Sequence, residues 1–235
     1  MGNEISKLQK ENENKVKELE KCLEIKDQYI NQLKDQINNI NKNIENIYDS
    51  FMFNNEEYFN FKKVIDSNIL RYNELCLIED GIKTKFNKKV KKNELLFRAS
   101  RDGYKAETFH EKCDLKGYTI TFVLTSINRR FGGFTDVSWA QNSSYKSGSN
   151  GFIFSLDNKE IYYNKNASYN IYCNKGYGPT FGSGYDFQIS DNCNKNNESS
   201  DDSNNSYETN GKKYALAGSN YFIVKDYEVY KIDLE

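Results

Sequence analysis

The chain has 235 residues, enough for one domain of ordinary size with an appendage, and its 33 basic and 34 acidic residues leave a formal net charge of −1. That balance provides no overall field to select nucleic acid or an acidic membrane. Five cysteines (Cys22, Cys76, Cys113, Cys173, Cys193) form no CxxC pair, and there is no secretory or membrane-spanning apolar run, so zinc ribbons, disulfide frameworks and transmembrane helices are excluded and a reduced, cytoplasmic chain is expected.

The first segment, residues 1–52, carries apolar residues on a seven-residue register. Val16, Leu23, Ile30, Ile37, Ile44 and Phe51 take the a positions; Leu19, Leu33, Ile40 and Ile47 take the d positions. Lys26 breaks the seam, which turns polar before Val16 at Gln9 and Asn12. Lysine, glutamate, asparagine and glutamine fill most other positions, and no glycine or proline interrupts the run after Gly2. Filled a and d positions over more than about three heptads predict a coiled coil, so the helix is expected to associate with copies of itself. The seam is cleanest at Ile30, Leu33, Ile37, Ile40, Ile44, Ile47 and Phe51. Isoleucine at both a and d from Ile37 onward leaves dimer and trimer open.

Residues 53–92 are expected as a helical and basic linker. One or two short helices are predicted between Glu56 and Glu79, with Phe59, Phe61, Val64, Ile65, Ile69, Leu70, Leu75, Leu77 and Ile78 as apolar contacts and Gly81 as a stop. The run Lys83 to Lys92 (KTKFNKKVKK) has two readings, a solvated linker or a patch for phosphate or lipid headgroups.

From Glu94 the apolar period falls to two. Ile120–Leu124, Phe152–Leu156, Ile161–Tyr163, Tyr169–Cys173, Tyr185–Ser190 and Phe222–Ile232 are predicted strands, rich in β-branched and aromatic residues. Many short strands with few helices predict an α+β fold: two antiparallel sheets packed face to face with short flanking helices, behind a long coiled-coil helix. The polar stretch Asp191 to Gly211 is expected to be a mobile loop.

The order of motifs in residues 93–235 is more particular. Glu94 to Trp139 is expected as strand, turn, helix, strand, turn and strand. It contains Arg98 and Ser100, the turn Arg101-Asp102-Gly103, and a helix with Phe109, His110, Cys113 and Asp114. A double glycine, Gly132-Gly133, precedes a strand expected to end on Trp139. FIFSLDN (Phe152 to Asn158), GYGPTFGSGYDFQISDN with Gly178, Pro179 and Gly182, and LAGSNYFIVKDYEVYKI with Gly218 follow. Together these resemble the TLDc domain of the oxidation-resistance proteins. The resemblance implies a two-sheet sandwich without a cofactor, a non-enzymatic role in oxidative-stress protection, and binding to the vacuolar proton pump. The motif residues read as mainly structural: glycines for unusual backbone angles or close approach, Phe109 and Cys113 with Ala106 as one helix face, Trp139 as a core anchor. Lys105 departs from the family pattern. The family commonly has a serine, threonine or acidic residue at this helix start, where lysine cannot accept first-turn N–H bonds.

Few residue patterns suggest catalysis. His110 and Cys113 lie three apart on one helix, but ordinary packing explains them, and without a second histidine a histidine-rich zinc site is excluded. Asp186, Asp191, Asp201 and Asp202 lack calcium-loop spacing and are expected in a solvated acidic loop. GYGPTFGSG has no lysine and opens no helix, so it is not a phosphate loop. Cys113, near Lys112 and Lys116, is the redox candidate if its thiol is exposed and acidic.

The first residues, MGNEIS, match the M-G-x-x-x-S pattern for N-myristoylation at Gly2. One acyl chain binds membranes marginally, and a coiled coil that gathers two or three would add avidity. An acylated chain would sit peripherally on the cytosolic face of endolysosomal or other membranes. Two alternatives are a nucleic-acid-associated stress regulator using the basic run, disfavoured by the net charge, and an enzyme of redox or hydrolytic type, disfavoured by the single histidine.

Overall fold

A computed structural model describes residues 2–53 and 65–235, in two compact units divided near residue 59. The described part of the first unit is one helix, α1 (Gly2–Phe53, 52 residues). Val16, Leu19, Leu23, Ile30, Leu33, Ile37, Ile40, Ile44 and Ile47 are all exposed along it. The surroundings of Gly2 and Phe51 lie outside the described residues, as do Phe59, Phe61 and Val64 of the expected linker helices.

The second unit is an α+β sandwich of two antiparallel six-stranded sheets. The first sheet contains β1 (Val90–Arg98), β2 (Thr119–Thr125), β3 (Arg130–Thr135), β5 (Phe152–Ser155), β6 (Glu160–Tyr163) and β12 (Val224–Leu234), in the order β1-β12-β2-β3-β5-β6. The second contains β4 (Ser144–Lys146), β7 (Ile171–Cys173), β8 (Tyr177–Phe181), β9 (Phe187–Ser190), β10 (Ser199–Ser200) and β11 (Tyr221–Phe222), in the order β11-β10-β9-β8-β7-β4. Among the described residues three α-helices accompany the sheets: α2 (Leu75–Phe86), α3 (Ala99–Asp102) and α4 (Ala106–Cys113).

Both faces of the first sheet are buried. On β5, Ile153 joins the core between the sheets, while Phe152 and Phe154 join a second core under α2 with Ile78, Ile82, Ile120, Phe122 and Tyr230. The stretch expected as a linker therefore belongs to the domain from residue 65 onward. Gly81 lies mid-helix against the Phe152 ring, and the basic run contains the end of α2 and the start of β1.

Alternation alone misplaced other elements. The double glycine lies inside β3, and Trp139 lies beyond that strand, joined to Asp114 by an isolated parallel bridge. The closing stretch is two strands in different sheets: Phe222 pairs with Ser199 and Val224 with Thr125, so the chain changes sheets at Ile223. Pro179 sits inside β8, where a register shift between Tyr177 and Thr180 accommodates a residue that has no N–H for the ladder.

The polar stretch 191–211 is anchored, contrary to expectation. Asp186 and Asp201 are both fully buried. Asp186 accepts backbone N–H bonds from Asn204, Asn205, Ser206 and Tyr207 at 2.8 to 3.3 Å. Burial pushes its carboxyl up to about 6, against those four donors. Asp201 accepts from Leu216 and Ala217 at 3.0 and 2.8 Å and holds the next segment likewise.

Candidate functional site

The motif residues converge on two places. The first is the corner where β1 runs into α3 beside β12. Arg98 donates through Nε to Glu228 at 2.8 Å, and the Glu228 carboxylate also accepts from Ser67 Oγ at 2.5 Å, the Asn68 N–H at 2.9 Å and Tyr230 Oη at 3.3 Å. The Arg98 guanidinium reaches the Asp66 carbonyl as well. Glu228 is fully buried, so it pins residues 66–68 to the sheet. Ser100 donates to Asp226 through both N–H (2.9 Å) and Oγ (2.6 Å). Asp102 accepts the Arg98 N–H at 2.9 Å and is clasped by Arg101 at 2.8 Å. Partial burial works against the charged form of Asp102, but Arg101 and that N–H outweigh it and hold the carboxyl below its ordinary range. Gly103 follows at φ 99°, a backbone angle that favours glycine.

The second place is α4, with Ala106, Phe109, His110 and Cys113 buried. Lys105 makes no cap bond; Asp191, 85 residues further on, accepts the Ala106 N–H at 2.8 Å instead. His110 Nδ1 lies 2.8 Å from Asp114 Oδ1, and its Nε2 lies 2.8 Å from the Asn174 carbonyl and 3.1 Å from that of Tyr177. The ring thus ties α4 to the turn before β8. The Phe109 ring meets Trp139 edge to face at 5.5 Å, and Trp139 Nε1 donates to Thr119 Oγ1 at 2.8 Å.

The remaining motif glycines serve close approach. A Cβ on Gly133 would lie 2.7 Å from the Phe181 ring of the opposite sheet, and one on Gly182 would lie 1.9 Å from Asp186 Oδ2. Gly178 packs on Ile189, Pro179 is buried beside it, and Gly218 adopts φ 79° before β11.

Cys113 does not have the setting of a redox sensor. It is fully buried, and burial raises its thiol well above the ordinary range, with Asp114 and Asp102 reinforcing that effect against Lys112 and Lys116. Burial likewise pushes Cys173 up to about 11 and Cys193 up to about 12. A thiol reagent should label Cys22, which is exposed, and Cys76, which is half-buried, and should spare the other three until denaturant is added. Mass-spectrometric mapping after a short pulse checks this; prompt labelling of Cys113 in the folded protein would reverse the conclusion.

Sequence reasoning missed Glu228, Asp226 and Arg130, and it placed Asp186 in a solvated acidic loop although the side chain is fully buried; these residues organise the networks. Buried Arg130 bridges Glu74 at 2.7 Å and Asp157 at 2.9 Å. The available signal was acid inside an apolar strand, as in DYEVY (Asp226 to Tyr230), where alternation alone would place an apolar residue or a bound ion. Among the described residues no group of histidine, cysteine, aspartate and glutamate is placed to hold a metal ion, and no helix is long and apolar enough to cross a membrane.

Two antiparallel sheets, a helix pinned by a buried histidine, and a corner clasped by Arg98 and Glu228 are thus built from the recurring motifs. Residues 63–233 match the family model described as the TLDc domain. The chain belongs to the TLDc family. No curated protein matches it. The TLDc match begins ahead of α2, in keeping with the packing of residues 65–86 on the first sheet.

Proposed function

We propose that this TLDc protein works by binding and not by catalysis, as an adaptor carried on a self-associating stem. The observation that carries this is the seam of α1: Ile30, Leu33, Ile37, Ile40 and Ile44 are exposed on a 52-residue helix, Ile37 to 57 %. An apolar stripe of that length needs a partner, and its heptad register fits a second or third copy of the same helix. The polar motif residues of the domain support the same reading, because Arg98, Ser100, Asp102 and His110 are engaged in holding the fold.

The partner we propose, from the resemblance of its motifs to oxidation-resistance proteins, is the vacuolar proton pump, with protection from oxidative stress as the outcome. Acylation at Gly2 would hold the adaptor at the membrane where the pump resides. The test is affinity capture from detergent-solubilised membranes using the chain with Gly2 intact, beside Gly2→Ala and the stem variant Ile37→Asp/Ile44→Asp. Pump subunits should be recovered with the unaltered chain and strongly reduced with either variant, and the stem variant should sediment as a monomer. Failure to recover pump subunits from membranes that contain them would reject the partner; a monomeric unaltered chain would reject the stem.

A further inference from the structure

The basic run becomes a defined surface once folded. Residues 83–92 hold six lysines and no carboxylate, in a chain whose net charge is −1. Lys83 lies in the last turn of α2, which ends where the N–H of Asn87, in the left-handed conformation at φ 50°, donates to the Lys83 carbonyl at 2.8 Å. Lys88 and Lys89 make the turn, and Lys91 and Lys92 open β1, an edge strand of the first sheet. Backbone hydrogen bonds on both sides, from the α2 cap to the β1–β12 ladder, fix the positions from which these side chains extend.

Lys83, Lys88, Lys91 and Lys92 are exposed and form no ion pair among the described residues. Lys85 is occupied by the Tyr163 ring at 4.8 Å. The carboxylates around the corner are few. Asp233 stands opposite Lys92 but pairs with Lys231 at 3.1 Å; Glu94 stands opposite Lys231; Glu79 and Asp80 lie one turn before Lys83; Glu235 donates its N–H to the Lys89 carbonyl. Seven lysines (83, 85, 88, 89, 91, 92 and 231) therefore stand with five acidic side chains, a surplus of two positive charges on one corner.

We propose that Lys83, Lys88, Lys91 and Lys92 form a docking surface for the anionic headgroups of a phospholipid bilayer. Attraction to such a surface needs summed charge within a Debye length, about 8 to 10 Å, and no shaped groove. A single-stranded nucleic acid would need free rings for stacking beside the lysines. The nearby rings of Phe86 and Tyr163 are already engaged, Phe86 against Phe134 at 5.7 Å and Tyr163 beneath Lys85. Marginal binding by one acyl chain becomes stable when a basic patch supplies a second signal. The proposal does not depend on acylation and is tested without it.

The experiment is vesicle co-sedimentation of the full, non-acylated chain. Each lysine near an anionic surface contributes roughly fivefold to partitioning. The chain should bind phosphatidylcholine vesicles containing phosphatidylserine, should ignore pure phosphatidylcholine, and should be released by raising the salt from about 0.1 to 0.5 M. Lys88→Gln/Lys91→Gln should lower binding by about 25-fold, and Lys88→Glu/Lys91→Glu by more. Reversal of two exposed lysines elsewhere in the domain, Lys175→Glu/Lys195→Glu, should leave at least half of it. Circular dichroism identifies any variant that fails to fold, and the glutamine pair then carries the test. Equal binding to neutral vesicles, no binding to anionic ones, or an equal loss with the distant pair would overturn the proposal. So would tighter, Lys88- and Lys91-dependent binding to an oligonucleotide.

Discussion

Gly132→Ala should destabilise the TLDc domain by roughly 3 kcal/mol or more, among the largest losses available to a single methyl group here. The added Cβ would stand 1.9 Å from the Thr121 carbonyl oxygen and 2.6 Å from Phe154 Cζ. Both obstacles are rigid. Thr121 lies on β2, opposite Gly133, and Phe154 is the partner of Gly132 on β5 and fully buried. Relief would require the three central strands of the first sheet to separate, and close-packed interiors give little. Gly103→Ala makes the contrast. There a Cβ meets nothing within 4 Å, but φ is 99°, so only backbone strain of about 1 kcal/mol is expected. Urea titration of the two variants measures both; equal losses would mean that backbone angle, and not space, is what the double glycine provides.

The same pair shows why parts of the fold were legible and parts were not. Gly132 faces the α2 side and Gly133 faces Phe181 across the sandwich, so β3 lacks the apolar alternation that marked β2 and β5. Its place in the sheet is set by the large rings of its neighbours. β8 was obscured in a similar way by Pro179, and the crossing at Ile223 by an apolar run that serves two sheets in succession. The stem helix and the helix face of Ala106, Phe109 and Cys113 were readable because their periodicity is local.

The polar networks were harder to read for a different reason. Asp186 holds residues 18 to 21 positions downstream, Asp191 caps a helix 85 residues upstream, and Glu228 binds Ser67 from 161 positions away. Composition marks such acids as surface residues. Only the tertiary arrangement shows that backbone N–H groups converge on them, which is how a stretch as polar as 191–211 stays ordered. The motif residues that identify the family are accordingly those that hold distant segments together, and the two surfaces proposed above for binding, the seam of α1 and the lysine corner, lie outside the motifs.

Glu228→Ala should cost about 3 to 5 kcal/mol, because it removes one partner of a buried ion pair and leaves the other. Arg98 would keep its charge with a side chain only 13 % exposed, and Ser67, Asn68 and Tyr230 would each lose an acceptor. Glu228→Gln should cost less, since it keeps the volume and one acceptor oxygen but turns an amide group toward donors. Replacing both partners, Arg98→Met/Glu228→Leu, should recover much of the loss, since apolar side chains of similar size do not leave a buried charge unpaired. Hydrogen exchange separates this network from a general loss of stability. In the single variants the Asn68, Ile69 and Leu70 amides should exchange much faster, as Glu228 and the Ser67 hydroxyl that it holds are their acceptors, while the β2–β3 ladder should change only by the global amount. If the double variant were as unstable as Glu228→Ala, the pair would be contributing net stability of its own, and the corner of β1 and β12 would depend on charge, not on packing.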